Sequence, residues 1–550
     1  MAPAVATMRV SIPCSAALVA VLAGCGETPA PTDVPVTDLG LRDVGFTAVD
    51  APVEASVDAP PDVAPTMDAG SLDAALADVT DAAVEAAVDA PSPRLPTLDF
   101  GRSLQYIPDA TRRAAAYDAF ARRVDLAEAS LASPQLDALT SRNPAIAAFD
   151  YMLDLTACFH QQCGASLPLD TTWSTLPETS FLHFAEATTL HFYALDGHDL
   201  GTVDIPGCAA PAPATAACRA RTFVWGDSRY LFATGDAAFR TWMAARLLAT
   251  TGGAVRGVFL DEHAHRFNDA MKFGSQSRVE RGGALREYAG AHPGDAALDT
   301  AWNADVVGAL AQYRTAFAAQ GRFVMPNLAT YFTAPEAQAQ ALAAGGVSVE
   351  GLWRPDAFDG TDRFFDVVRA VRAVAAAGGV VDLYGTLGYT GPSGYGAGGY
   401  ADAPTRYRMW RLAASFLAQP DAGDRGTVYF DPTLAIDFGG DPLAWVATWL
   451  PAYATSLGVP LAAPDVASRT TYTSTTGVAC TAVVLRRTFA RGTVLVRAKD
   501  AWNCPDWDGA GIVTVTLPHA LRPLQPDGTA GPATDTVRIR NAEAWILLEP

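Results

Sequence analysis

From about Leu95 onward, short apolar runs alternate with longer stretches of helical period, the pattern of successive βα units. The apolar runs are Leu104–Ile107, Val124–Ala127, Ala145–Tyr151, Gly257–Leu260, Arg322–Met325, Val347–Val349, Val380–Tyr384 and Thr427–Phe430. Helical pattern fills Ala110–Arg123, Pro134–Thr140, Asp236–Thr250, Asp305–Ala319, Ala334–Ala344, Asp362–Ala377 and Arg406–Leu417. This alternation, over a length with room for insertions, predicts an α/β fold, a (β/α)8 TIM barrel across residues 96–460. A long insertion from Cys158 to about Arg221 interrupts it, and apolar character resumes at Thr222–Trp225. After about Pro460 the helical period gives way to alternation in Val483–Arg487, Thr493–Arg497, Ile512–Leu517 and Ala544–Leu548. Residues 461–550 therefore read as a small all-β, sandwich-like domain.

The stretch GVFLDEHAH, Gly257 to His265, is the centre of the pattern. Its run of small and apolar residues suits a strand buried on both faces, where a charge is not tolerated. Asp261 and Glu262 thus mark the strand's C-terminal end, which in a (β/α)8 barrel is the catalytic face. Two further strand ends are polar: Asn327 in VMPNL and Glu350 in VSVEGLW. Asp261 and Glu350 lie two βα units apart, and alternate strands of a barrel point side chains into one mouth. A carboxylate pair flanking a sugar bond is what glycoside hydrolysis requires: one group protonates the leaving oxygen, and the other attacks the anomeric carbon or activates water. A charge pair closing the strand ends, or a helix cap, is the competing structural role. Glu262 points to the opposite side of a regular strand; it either bonds substrate or takes the place of Asp261.

GVFLDE, the following PN strand end and VEGLW resemble bacterial TIM-barrel glycosidases, in particular the hypothetical glycosyl hydrolases related to endo-α-1,4-polygalactosaminidase. The resemblance implies an Asp after strand four and a Glu after strand six, at Asp261 and Glu350. It also implies a small C-terminal β domain, to which RRTFARGTVLVRA and AWILLEP are similar. By analogy with retaining barrels of this layout, Asp261 is nucleophile or general base and Glu350 general acid. The cysteine-rich insertion and the two histidines are not part of the resemblance.

Aromatic residues near such a mouth would stack on sugar faces, and Trp225, Tyr230, Trp353, Tyr384 and Tyr389 are the candidates, with Asn327 and Glu262 as polar contacts. Each has packing as its ordinary alternative. The Gly-rich YTGPSGYGAGGYADAP after the seventh strand is a candidate lid. His263 and His265 could hold a metal with Asp261, which would make the chain a metal-dependent hydrolase; the HxH of amidohydrolase-type barrels, however, follows the first strand. The carboxylate mechanism needs neither metal nor cofactor.

The formal charge of the 550 residues is −20, unevenly spread. Between Gly26 and Leu95 fourteen acids stand against Arg42 and Arg94, so the remainder is only mildly acidic. No basic stripe exists to meet phosphates, which argues against nucleic acid as a partner. Residues 26–95, built from Ala, Asp, Pro, Val and Thr, read as a disordered tether. In front of them Arg9, the apolar Ser15–Ala23 and Leu22-Ala23-Gly24-Cys25 resemble a bacterial lipoprotein signal over residues 1–25, with Cys25 the lipidated residue. The apolar run is too short to cross a membrane as a helix.

Beyond Cys14 and Cys25, the remaining six cysteines fall into near neighbours, Cys158 with Cys163, Cys208 with Cys218, and Cys480 with Cys504. An even count in an exported chain predicts disulfides, and short loops cost least entropy to close. Together these features predict a monomeric glycoside hydrolase, lipid-anchored in the bacterial cell envelope at the outer membrane or cell surface, acting on an extracytoplasmic polysaccharide or oligosaccharide. A non-catalytic carbohydrate-binding lipoprotein on the same scaffold is the alternative.

Overall fold

The computed structural model describes residues 94–99, 104, 107–129, 134–158, 173, 175–193, 199–224, 227–251, 255–261, 263–270, 283–355, 357–384, 403–432, 449–505 and 510–550. The chain divides into two units, residues 1–89 and 90–550, and the first lies outside the described residues. The lipidation signal, Cys25 and most of the tether therefore also lie outside them. No described helix is long and apolar enough to cross a membrane.

Eight parallel strands organise the second unit: β1 (Leu98–Asp99), β2 (Leu126–Glu128), β3 (Ala147–Leu153), β4 (Val255–Asp261), β5 (Phe323–Pro326), β6 (Gly346–Ser348), β7 (Val380–Leu383) and β8 (Thr427–Phe430). They form a five-stranded sheet in the order β1 to β5 and a three-stranded sheet in the order β6 to β8. Parallel bridges link the two sheets at both edges, Thr97 to Phe430 and Asn327 to Ser348. The helices are α1 (Ala110–Ala121), α2 (Pro134–Thr140), α3 (Ala237–Thr250), the single turn α4 (Phe267–Ala270), α5 (Ala296–Ala318), α6 (Pro335–Ala344), α7 (Thr361–Ala376) and α8 (Ala403–Ala418). Their ends follow local chemistry. Asp109 and Asp236 cap α1 and α3 by accepting from the N–H groups of Arg112 (2.7 Å) and Phe239 (2.8 Å). At the other end of α6, Gly345 takes the left-handed conformation (φ 69°) that ends a helix without steric cost.

Several boundaries differ from the sequence pattern, and two starts differ most. The first strand is Leu98–Asp99, not Leu104–Ile107, because Leu104 and Ile107 pack with Phe120 and Leu139 beneath α1. A two-residue strand leaves no period to read. Helix α5 begins at Ala296 rather than Asp305, since buried Leu298 and Trp302 hold its early turns to the core. The insertion after β3 contains an antiparallel three-stranded sheet, and Arg221–Val224 belongs to it, paired with Asp227–Leu231.

The strands bury both faces, and period-2 alternation sorts their side chains. One face meets the helices: Val381 and Leu383 of β7 pack with α7 and α8. The opposite face gathers Leu98, Leu126, Phe149, Phe259 and Met325, with Tyr151, Phe323, Val380 and Tyr429 against them. Gly257 has no side chain because the Phe323 ring lies across it; a Cβ there would come within 2.5 Å of a ring carbon. This inner face continues two residues further along each strand into the polar groups described below.

The last strands are β9 (Asp465–Thr473), β10 (Ala479–Phe489), β11 (Gly492–Val496), β12 (Val513–Pro523), β13 (Thr534–Ile539) and β14 (Ala544–Leu548). They form a six-stranded sheet in the order β9-β10-β11-β14-β12-β13, antiparallel throughout. Val483 and Leu485 of β10 pack with the helices, while Ala482 and Val484 face a separate cluster with Val515, Val537 and Ile539. Disulfides join Cys208 to Cys218 and Cys480 to Cys504. Cys163, expected to pair with Cys158, lies outside the described residues.

In the insertion, buried His183 sits between two carboxylates, Nδ1 at 2.7 Å from Glu287 and Nε2 at 2.9 Å from Glu178. Both nitrogens face carboxylate oxygens, an arrangement that favours the doubly protonated ring. Burial, the largest effect, would lower its pKa; the hydrogen bonds and charges of Glu287 and Glu178 together outweigh burial and raise it above the ordinary 6.5. The resulting stability is fully present below the unfolded value near 6.5 and is lost as pH rises through the raised folded value. His183→Gln should therefore destabilise by roughly 2 kcal/mol at pH 6, with the difference from wild type shrinking at alkaline pH. Thermal melts of both proteins across pH 5 to 9, in steps of about one unit, check this; a pH-independent difference would rule out the charged pairing.

Candidate active site

Alternation on the inner face brings polar side chains to the C-terminal ends of the strands. Tyr151 follows Phe149 on β3, Asp261 follows Phe259 on β4, and Asn327 follows Met325 beyond β5, each by two residues. Glu350 follows Ser348 of β6 in the same way, and on β7 Asp382 follows Val380. Register aligns the rows: Tyr151 pairs with Phe259, and Ser348 with Asp382.

One side chain joins the two candidate acids. Nδ2 of Asn327 donates to Oδ1 of Asp261 at 2.8 Å and also to Oε2 of Glu350. The amide oxygen, Oδ1, accepts from the N–H of Ala329 at 3.2 Å. A carboxylate only accepts, so these partners fix which way the amide points. Two oxygens sharing one nitrogen are separated by at most two hydrogen-bond lengths, about 6 Å. The second oxygen of Asp261 accepts from the Tyr151 hydroxyl. The Tyr151 ring in turn leans on Phe259, centroids 5.7 Å apart.

Behind Glu350 lies Asp382, fully buried on β7. Ser348 Oγ donates to its Oδ2 at 2.7 Å, and its Oδ1 has no hydrogen-bond partner among the described residues. Burial is the main force raising its pKa, to about 7; the Ser348 bond and Arg411 oppose the rise, while Glu350 and Asp99 add to it. Asp150 on β3 is likewise raised by burial, to about 6, against the Tyr151 N–H bond.

Trp353 requires a correction. It is 0% exposed, its Nε1 donates to Ser415 Oγ at 3.0 Å, and its ring packs on Phe364. It anchors the loop after Glu350 from beneath and offers no face to a sugar. Tyr384, one residue past β7 and in line with Val380 and Asp382, is also buried, 4% exposed. Glu262, Trp225, Tyr389 and the Gly-rich candidate lid up to Asp402 lie outside the described residues; its last two residues begin α8. His263 and His265 are both buried, and His263 Nδ1 lies 3.2 Å from Oδ1 of buried Asp154. Among the described residues no group of three or more His, Cys, Asp or Glu side chains is placed to hold a metal ion.

The sequence pattern missed Tyr151 and Asp382. Both sit within predicted strands, and counting in twos from Phe149 and Val380 would have put them on the face of Asp261 and Glu350.

No family model matches the chain, and no curated protein does. Solved structures do. A cycloisomaltooligosaccharide glucanotransferase from Paenibacillus sp. is 10% identical with a TM-score of 0.32, over 82% of this chain and 55% of its own. The chain thus spans little more than half the length of that enzyme. An α-amylase from Geobacillus thermoleovorans is 10% identical with a TM-score of 0.37, over 83% and 98%. The PgaB (BpsB) glycoside hydrolase domain from Bordetella bronchiseptica is 10% identical with a TM-score of 0.33, over 65% and 96%. These are faint likenesses of fold.

Proposed function

We propose that this chain is a glycoside hydrolase, with its eight parallel strands closed as a (β/α)8 barrel and the C-terminal sheet forming a small all-β domain beside it. Asp261 and Glu350 are the catalytic carboxylates. The observation that supports this reading above others is the Asn327 amide shared between them. Side chains from three strand ends converge at hydrogen-bonding distance, which a pair of unrelated end-of-strand charges has no reason to do. The facing oxygens of the two acids, at most about 6 Å apart, fit the retaining mechanism, in which the carboxyl groups stand roughly 5–5.5 Å apart, better than the wider inverting arrangement. Asp261, oriented by Tyr151 and Asn327, attacks the anomeric carbon; Glu350 protonates the leaving oxygen and then activates water. Asn327 positions both. The same short spacing speaks against a purely sugar-binding scaffold, which needs no pair of acids.

The substrate is an extracytoplasmic polysaccharide or oligosaccharide, and the enzyme is held to a bacterial membrane through Cys25 and the tether of residues 26–95. Two disulfides fit an oxidising compartment. One experiment tests both parts. The full chain and Cys25→Ser are expressed in a bacterial host, and membrane and soluble fractions are screened against polysaccharides and aryl glycosides. Activity should pellet with membranes for wild type and be soluble for the variant, and the first-formed product should keep the substrate's anomeric configuration by NMR. Absence of hydrolysis across the panel would reject the enzymatic reading; membrane-bound Cys25→Ser would reject the anchor.

A further inference from the structure

Trp502 is 78% exposed, far more than any other large hydrophobic side chain among the described residues. Indole is usually buried, since it has the largest apolar surface of any side chain to remove from water. The loop that presents it is nevertheless firmly held. Asp500, two residues before, is buried; its carboxylate takes Arg497 Nε at 2.9 Å and the Tyr472 hydroxyl at 2.8 Å, and its N–H donates to Asn541 at 2.9 Å. Two residues after, Cys504 is bonded to Cys480, and the Cys504 N–H closes a turn on the Ala501 carbonyl at 3.1 Å. Nothing in this network uses the indole. A tryptophan fixed on a braced loop with its ring outward is pre-organised to stack on a ligand, because little ordering entropy remains to be lost.

Its position relates it to the candidate site. The Trp502 backbone N–H donates to Asp359 Oδ1 at 3.1 Å, and the Lys499 backbone N–H donates to the Pro355 carbonyl at 2.8 Å. Pro355 and Asp359 belong to the connection between Glu350 and α7, on the side where the strands end. Trp502 is therefore tied to the same loop that follows Glu350. Asp359, whose carboxylate accepts the Trp502 backbone N–H, and Asn503, the next residue in the chain, are both exposed. An exposed flat apolar face with a carboxylate bonded to its backbone and an amide next to it in the chain matches a pyranose, whose C–H face is apolar and whose edge carries hydroxyls.

We propose that Trp502 is a sugar-stacking subsite that holds a neighbouring unit of the polysaccharide whose bond lies at Asp261 and Glu350. This rests on the glycosidase reading for its ligand, and its test is separable from that reading. Full-length Asp261→Asn, which binds without turnover, is run in native gels containing soluble starch, xylan, galactomannan or a β-glucan. Retardation is expected with at least one polymer, and adding Trp502→Ala should weaken that binding about 3- to 10-fold, with Trp502→Phe recovering part of it. Melting curves establish that each variant is folded. No retardation by any of the polymers, or equal retardation with and without the indole, overturns the subsite. A wild type that forms dimers in sedimentation, made monomeric by Trp502→Ala, also overturns it, since the ring would then be a contact between copies. Trp502-dependent binding without hydrolysis by wild type would keep the subsite and remove the catalytic reading; hydrolysis with Trp502-independent binding would do the reverse.

Discussion

Asp261→Asn is expected to lower turnover on any substrate the wild type cleaves by at least about 10²–10⁴-fold, the range that acid–base and nucleophilic roles supply. The amide keeps size and hydrogen bonding, so Tyr151 and Asn327 retain a partner, and the fold should be unchanged. Glu350→Gln should lose as much on natural linkages. The two differ on activated substrates. A good leaving group needs no proton, so Glu350→Gln should recover much of its first step on aryl glycosides and accumulate a covalent intermediate, whereas Asp261→Asn has no nucleophile to offer. Asn327→Ala is a third arm: it removes no proton chemistry but frees both carboxylates from the nitrogen that orients them. Its loss should be partial and accompanied by a displaced pH profile. If Asp261→Asn stays active while Glu262→Gln is dead, the neighbouring acid is the nucleophile. If Asp261→Asn and Glu350→Gln both keep full activity on a confirmed substrate, the chemistry lies elsewhere on the chain.

The two acids were legible in the sequence because an apolar run that stops at a carboxylate marks the point where a strand leaves the core. Asn327 was legible for the same reason, in VMPN. Their supporting residues were not. Tyr151 and Asp261 are 110 positions apart, and no local period encodes that they share a face. Asp382 hid inside an apolar run, where only burial and the Ser348 partner distinguish it. Trp353 shows the converse: an aromatic residue near a site pattern satisfies stacking and packing equally, and only its bond to Ser415 and contact with Phe364 decide for packing. The first strand escaped because two residues carry no periodicity, and the early turns of α5 because only Leu298 and Trp302, one turn apart, mark their buried face.

Beside the turn that ties the C-terminal sheet to the loop after Glu350 lies a buried ion pair, and breaking that pair should produce the largest loss of stability of any single change near it. Arg497 and Asp500 are both inaccessible to water, joined through Nε at 2.9 Å and through Nη2. Arg497 is further held by the carbonyls of Gly511 and Ile539. Asp500→Ala leaves a guanidinium buried without its counter-charge, which costs about 3–5 kcal/mol. A urea midpoint lower by a corresponding amount at unchanged slope is the expected reading. The pair need not be favourable in itself, because desolvating both ions offsets much of their attraction. Replacing both partners with apolar residues, Arg497→Met with Asp500→Leu, should therefore cost less than Asp500→Ala alone, a sign reversal that simple loss of a contact cannot give. The same carboxylate braces the turn bearing Trp502, and the adjoining Lys499 N–H holds the loop after Glu350. If Asp500→Ala reduces activity on polymer below the loss seen for Trp502→Ala at temperatures where both remain folded, the sheet positions Glu350 as well as the indole; equal losses would confine its influence to the indole.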